Sequence, residues 1–379
     1  MIDPTAEIMD DQAGAIDVPL QTAELLSFES ADSSEPVPPA DIIAYNEVRS
    51  CADLFRLYTS KQMEVQPDFQ REIVWRNPER SRFIDSLVKQ LPIPSMCFSL
   101  ESRTQRWKVI DGLQRMTTII NFLGLEEWRL APLDDIHPLL RGKTNVTLRN
   151  GNAEEKVLFS AVENVTIPVT VIRCDYEKRE HMRYLFTIFH RLNSGGVRLN
   201  NQEIRNCIYT GTFNNALKEF DKENADWQVV KSRIWGSVNR FRSVEILLRV
   251  LAFSSCLNEY DGNLAAFLNQ YMHSNIDMVL DEIASLRTTL STVARIARAT
   301  LEPFTHGKLS LAIVEAVLVG INVNRRLLQA ADPAELRVKY QEMLTKPSFA
   351  EGARYAVSSA DNVGSRLRDA ITSFGNRVE

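Results

Sequence analysis

The chain has 379 residues, 44% hydrophobic and 25% charged, which is globular composition with apolar material for about two domains at roughly 150 residues each. No run approaches the ~18 uninterrupted apolar residues of a membrane span, and the acidic start MIDPTAEIMDDQAG lacks the basic end and apolar stretch of a secretory signal. Five scattered cysteines (Cys51, Cys97, Cys174, Cys207, Cys256) with no CxxC pattern argue against a zinc knuckle and a disulfide framework, so a reduced, cytoplasmic protein with no membrane association is expected.

The net charge of −5 is unevenly placed. Residues 1–50 carry eleven Asp/Glu against a single basic residue, Arg49, which leaves 43 Lys+Arg against 38 Asp+Glu in the remainder. Residues 1–44 read as an acidic, disordered lead, and the mildly basic body admits a polyanionic partner such as DNA.

In chain order, the first expected element is a helix over Ser50–Ser60, N-capped by Ser50 and striped by Ala52, Leu54, Phe55 and Tyr58. An extended piece, Met63–Gln66, leads into Pro67-Asp68-Phe69-Gln70-Arg71. A second helix is capped by Asn77 with Pro78 at its first position, and its apolar face is Phe83, Ile84, Leu87, Val88 and Leu91. Ser95–Leu100 and Arg106–Ile110 are expected strands joined by a polar turn at Glu101–Thr104. The second strand runs into Asp111-Gly112, and the following helix (Met116, Ile119, Ile120, Leu123) stops at Gly124. Residues 125–175 read as further strands, the best being Val165–Arg173. Then comes a helix faced by Tyr184, Leu185, Ile188, Phe189 and Leu192, interrupted at Ser194-Gly195-Gly196. From Asn200 onward only helical patterns appear, including Val244–Phe253 and Leu309–Leu328. The fold class is therefore α+β, a mixed domain over 45–198 followed by an all-α domain over 199–379.

Three constellations could carry chemistry. In Val109–Thr118 a strand, a tight turn and a helix N-terminus follow in quick succession. Unpaired N–H groups, a glycine permitting close approach (Gly112) and a guanidinium (Arg115) suit an anion. Asp111 beside a phosphate makes sense only if it holds Mg²⁺, positions a water, or bonds a ribose or base. A plainer reading makes Asp111 a cap and Arg115 a solvated side chain. A second Gln-Arg pair, Gln70-Arg71, either converges on the same anion or is an ordinary surface pair. In Phe189–Arg198, the residues Arg191, Asn193, Ser194 and Gly195 either line a phosphate or sugar pocket or turn a corner. Asn200-Asn201-Gln202-Glu203 reads as a capping box. The chain has no GxxxxGK[ST] loop, no GxGxxG after a strand, no GxSxG elbow and no clustered Cys/His pattern. The five histidines are isolated.

Four segments, PDFQREIVW, SLVKQLPIP (Ser86–Pro94), VIDGLQRMTTI (Val109–Ile119) and FHRLNSGGVRLNNQEIRN (Phe189–Asn206), resemble in order and spacing the N-terminal domain of GmrSD-type modification-dependent restriction endonucleases. That group is similar to the ParB/sulfiredoxin superfamily. The likeness covers roughly Ala52–Tyr209, with a weaker echo in Phe241–Phe253. It implies a ParB/sulfiredoxin-like α+β fold whose strand–Asp-Gly–helix turn binds an NTP with Mg²⁺, in an NTP-hydrolysing component of a DNA-targeting anti-phage system.

Carried over residue by residue, the family's Asp-Gly-Gln-Gln-Arg motif assigns catalytic roles to Asp111, Gln114 and Arg115 and the metal to Asp111. Nucleotide contacts would come from Gln70, Arg71, Gly112, Thr117, Arg191, Asn193, Ser194 and Gly195. Leu113 stands where the first Gln usually is, so it either removes a hydrogen-bonding role or packs on the core. Relatives often append a His-Asn-His-type nuclease domain, and the tail from Asp281 to Glu379 shows helix texture without that motif, so if DNA, the expected target, is cut, either a partner (a nuclease or methyltransferase being expected) or the ParB-like pocket acts on it. The alternatives are a nuclease acting through the same pocket and a non-catalytic nucleotide- or DNA-binding regulator.

Overall fold

A computed structural model describes residues 38–65, 75–192, 199–234, 240–302, 310–349 and 359–376. Gln70, Arg71, Asn193, Ser194, Gly195 and most of the acidic lead lie outside the described residues. The chain divides into two compact units between Arg198 and Leu199.

The first unit is built on a five-stranded sheet of order β1-β5-β3-β4-β2: β1 (Ile43–Ser50), β2 (Met63–Glu64), β3 (Met96–Glu101), β4 (Trp107–Asp111) and β5 (Thr166–Cys174). β1 runs antiparallel to β5, β5 parallel to β3, β3 antiparallel to β4, and β2 parallel to β4. The helices are α1 (Cys51–Thr59), α2 (Asn77–Val88), α3 (Leu113–Leu123), α4 (Asn145–Asn150), α5 (Ala153–Asn164) and α6 (Arg179–Leu192). Alternation along the strands sends Met96, Phe98, Leu100, Val109, Ile167, Val169 and Val171 to one face. There they pack with Leu54 of α1, Ile84 of α2, Ile119 and Phe122 of α3 and Val162 of α5. Truncating a fully buried member such as Phe98 to Ala would cost about 3–5 kcal/mol. On the other face Cys97, Ser99, Ile110, Ile172 and Cys174 are also buried, and α6 packs on β4.

Several expectations need correction. β1 precedes the first expected helix and begins inside the supposed lead, at Ile43. Its residues are largely exposed, so IAYNEVRS carries little of the alternation that marks a half-buried strand. Asn77 is the first residue of α2 and not its cap. Arg76 takes the cap position without a side-chain bond, and Leu91 falls beyond the helix, 48% exposed. Residues 125–175 supply a single named strand, β5, because Asn152 and Glu155 close a capping box that turns 153–164 into α5. The buried face of α6 is His181, Met182, Leu185, Phe186 and Phe189, while Leu192 is exposed.

The second unit is helical: α7 (Asn201–Ile208), α8 (Thr212–Glu223), α9 (Ala225–Ser232), α10 (Arg242–Cys256), α11 (Leu264–Ser274), α12 (Leu280–Leu301), α13 (Leu311–Leu328), α14 (Pro333–Leu344) and α15 (Ala360–Gly375). Every residue from Ser243 to Phe253 of α10 is buried, as are all eight of α7. The expected capping box closes at Asn200, whose Oδ1 accepts from the Glu203 N–H at 2.9 Å while Glu203 accepts from the Asn200 N–H at 2.7 Å. An ionic chain crosses this core. Arg205 pairs with Glu245 at 3.0 Å, Arg249 with Glu245 at 2.6 Å, and Arg249 approaches Glu315 at 3.6 Å.

Candidate anion site at the Asp-Gly bend

The bend starts from an irregularity in the sheet. Phe98 faces Val109 across the β3–β4 ladder but Cys97 faces Asp111, so Ile110 is an extra residue. Such bulges re-aim a strand end. Gly112 then adopts φ +92°, and a Cβ built there would lie 2.5 Å from Met96 Cγ. Only glycine satisfies both conditions. Gly112 occupies the N-cap of α3 and has no side chain to offer, so the first-turn amides of this eleven-residue helix carry no side-chain cap. A helix start at a dipole's positive end, with no side-chain cap and under a backbone without a Cβ, is the kind of surface that binds anions.

The side chains around the bend hold it in place. Arg115 Nη2 lies 3.0 Å from Asp111 Oδ2 and 3.3 Å from the Ser95 carbonyl, and its Nη1 donates to the Pro94 carbonyl. The guanidinium therefore ties the end of β4 to the entrance of β3. Burial pulls the Arg115 pKa below its ordinary value, and the Asp111 charge opposes that pull. Asp111 keeps 36% of its side chain exposed against 13% for Arg115, and the Arg115 pair engages its Oδ2. Behind the bend, the Cys97 thiol is pushed up to about 12 by burial, with a further contribution from Asp111.

Gln114 links two of the sequence segments. Its Oε1 accepts from the Trp75 backbone N–H at 3.1 Å, which fastens the last residue of PDFQREIVW to the first turn of α3. Trp75 is seated edge-on against Phe83, with ring centroids 5.6 Å apart. Leu113 is half-buried and packs on the core of the first unit. The apolar residue at that motif position thus has a packing role. Thr117 is half-buried one turn further along α3. Arg191 is exposed in the last turn of α6, the helix that packs on β4.

Sequence reasoning missed Ser95 and Pro94, whose carbonyls receive Arg115. Backbone acceptors leave no compositional trace, so nothing in the sequence marked them. Among the described residues no cluster of three or more His, Cys, Asp or Glu could hold a metal ion. A Mg²⁺ here would take Asp111 as its protein ligand and complete its shell with phosphate and water oxygens, which suits a cation that keeps much of its hydration. No described helix is long and apolar enough to cross a membrane.

The family model described as GmrSD restriction endonuclease, N-terminal domain, matches residues 52–210. Those residues are a GmrSD N-terminal domain, and a domain of this family implies a role associated with restriction and defence. No curated protein and no solved structure matches the chain.

Proposed function

We propose that the first unit is a ParB/sulfiredoxin-like nucleotide-binding domain that holds an NTP with Mg²⁺ at the Asp111–Arg115 bend and hydrolyses it to drive a DNA-targeting restriction system. The observation that carries this reading is the helix start of α3 at Gly112, a left-handed glycine that offers no side-chain cap and whose Cβ position is occupied by Met96. The first-turn amides would take phosphate oxygens, and Asp111 would hold Mg²⁺ or orient the attacking water. Gln70, Arg71, Thr117, Arg191, Asn193, Ser194 and Gly195 would complete the pocket. DNA and a separate nuclease or methyltransferase would be its partners.

NTP hydrolysis by the wild type, Asp111→Asn and Gly112→Ala tests this reading, with circular dichroism confirming that each is folded. The expected result is turnover by the wild type and at least a tenfold loss in both variants, about 1.4 kcal/mol or more of transition-state stabilisation. Equal background rates in all three would remove the enzyme.

A second reading has its own observation. The Arg115 guanidinium is already committed to Asp111 and two carbonyls, so it is a poor mobile clamp for a transferring phosphoryl group. Nucleotide held as a switch without turnover would show as thermal stabilisation by an NTP with no released phosphate.

A further inference from the structure

β1 is one edge of the sheet, and among the described residues no strand pairs with its outer side. Val48 is 68% exposed, Ile43 54% and Tyr45 38%. Its pairing with β5 runs without a register shift from Ile43–Arg173 to Ser50–Thr166. Edge strands are ordinarily blunted by proline, lysine, a bulge or shortness. IAYNEVRS has eight residues, no proline, no lysine and no bulge.

The hydrogen-bond phase of this edge follows from its end. The Cys51 N–H donates to the Val165 carbonyl directly opposite at 3.1 Å, so in an antiparallel ladder the odd-numbered residues of β1 exchange bonds with β5. Ala44, Asn46, Val48 and Ser50 therefore direct their backbone groups away from the sheet. The Ile42 N–H, in the same phase, turns outward to the Pro39 carbonyl at 3.1 Å and closes the edge at that end.

We infer that this edge pairs with β1 of a second copy of the chain, antiparallel about a two-fold axis through Val48. Charge selects the partner and the register. Read in opposite directions, Glu47-Val48-Arg49 meets its own complement: Glu47 lies opposite the partner's Arg49, Arg49 opposite the partner's Glu47, and Val48 opposite the partner's Val48. Asn46 faces the partner's Ser50. Moving the axis to Asn46 sets Glu47 against the partner's Tyr45 and Arg49 against the partner's Ile43, with no complementary charges. Moving it to Glu47 puts like charges together and breaks the hydrogen-bond phase. Opposite-charge pairs directly across a ladder stabilise it and like-charge pairs oppose it. Within one copy Arg49 already lies 2.5 Å from Glu47 and 2.5 Å from Asp53, which holds the guanidinium on this face. The association unites two five-stranded sheets into one continuous sheet of ten.

Mass by light scattering across a concentration series tests this on the full chain. The wild type is expected to be a dimer. Val48→Lys is expected to be a monomer with an unchanged circular dichroism spectrum, because that side chain is exposed in the single chain. Glu47→Arg and Arg49→Glu are each expected to be monomeric alone, since 47 and 49 would then carry like charges, and to form a mixed dimer when combined. Val48→Cys is expected to form a disulfide-linked dimer on mild oxidation, because directly opposite Cα atoms of a hydrogen-bonded pair lie about 5.5 Å apart. Ala44→Cys would sit about 26 Å from its symmetry mate and stay unlinked. If Arg49→Glu fails to fold, the cysteine pair decides. A wild type that is monomeric throughout, a Val48→Lys variant that remains dimeric, or equal crosslinking at 44 and 48 overturns the proposal.

Discussion

Replacing Gly112 with alanine tests the geometry of the bend apart from any ligand. At φ +92° an L-residue is strained by about 1–2 kcal/mol. The new methyl would also lie 2.5 Å from Cγ and 2.9 Å from Sδ of Met96, a side chain with no exposed surface. Met96 is flexible in type but packed in fact, so displacing it costs a further 1–3 kcal/mol or so by overpacking. The expected loss is about 2–5 kcal/mol in the first unit, which for a unit of this size lowers its melting transition by roughly 5–15 °C. Urea unfolding followed by tryptophan fluorescence measures it, since Trp75, Trp107 and Trp128 all lie in that unit. A double-mutant cycle with Met96→Ala should recover the steric part and leave the backbone part, giving a favourable coupling of about 1–3 kcal/mol. A Gly112→Ala variant within about 0.5 kcal/mol of wild type, or a cycle with no coupling, would refute the close approach of Gly112 to Met96.

Other outcomes follow from the same contacts. Gln114→Ala removes the acceptor for the Trp75 N–H and should cost about 1 kcal/mol, read by urea unfolding; under the proposed function it also weakens NTP binding in a fluorescence titration. Arg115→Ala should destabilise the first unit by about 1–3 kcal/mol even with no nucleotide present, because two backbone carbonyls and Asp111 lose their donor, and a neutral result would return Arg115 to a purely ligand-facing role. Glu245→Gln leaves Arg205 buried against a neutral group and Arg249 with Glu315 alone, and should cost about 3–5 kcal/mol in the helical unit, measured by denaturant unfolding. Asp41 is held at about 2, against an ordinary 3.8, chiefly by its bond to Lys178 and then by His181. A lowered folded-state value means its contribution is complete above pH 4 and fades as pH falls from 4 to 2. Asp41→Asn should flatten the stability profile over that window, and an unchanged profile would show that the ion pair contributes nothing.

Local chemistry was legible wherever one residue type served one local purpose. Ser50 caps α1 through its bond to the Asp53 N–H, Asn200 and Glu203 close their box, and Gly124 ends α3 as its placement implied. The strands β3 and β4 and the glycine bend between β4 and α3 also read directly from alternation followed by Asp-Gly. The exposed strand β1 did not, because its residues lack a buried face to record in their pattern. Residues 125–164 misled because short apolar runs fit strands and helices alike until caps decide.

The sequence alone determined that a strand must end and a helix begin around Gly112, with an acid and a guanidinium one helical turn apart, since those properties depend on neighbours within a few positions. What Arg115 and Gln114 reach for was decided by tertiary structure. Their partners are the backbone groups of Pro94, Ser95 and Trp75, which lie twenty to forty positions away and present the same N–H and C=O as every other residue. A peptide group has no side-chain identity to betray it, so only the folded path of the chain could place it there.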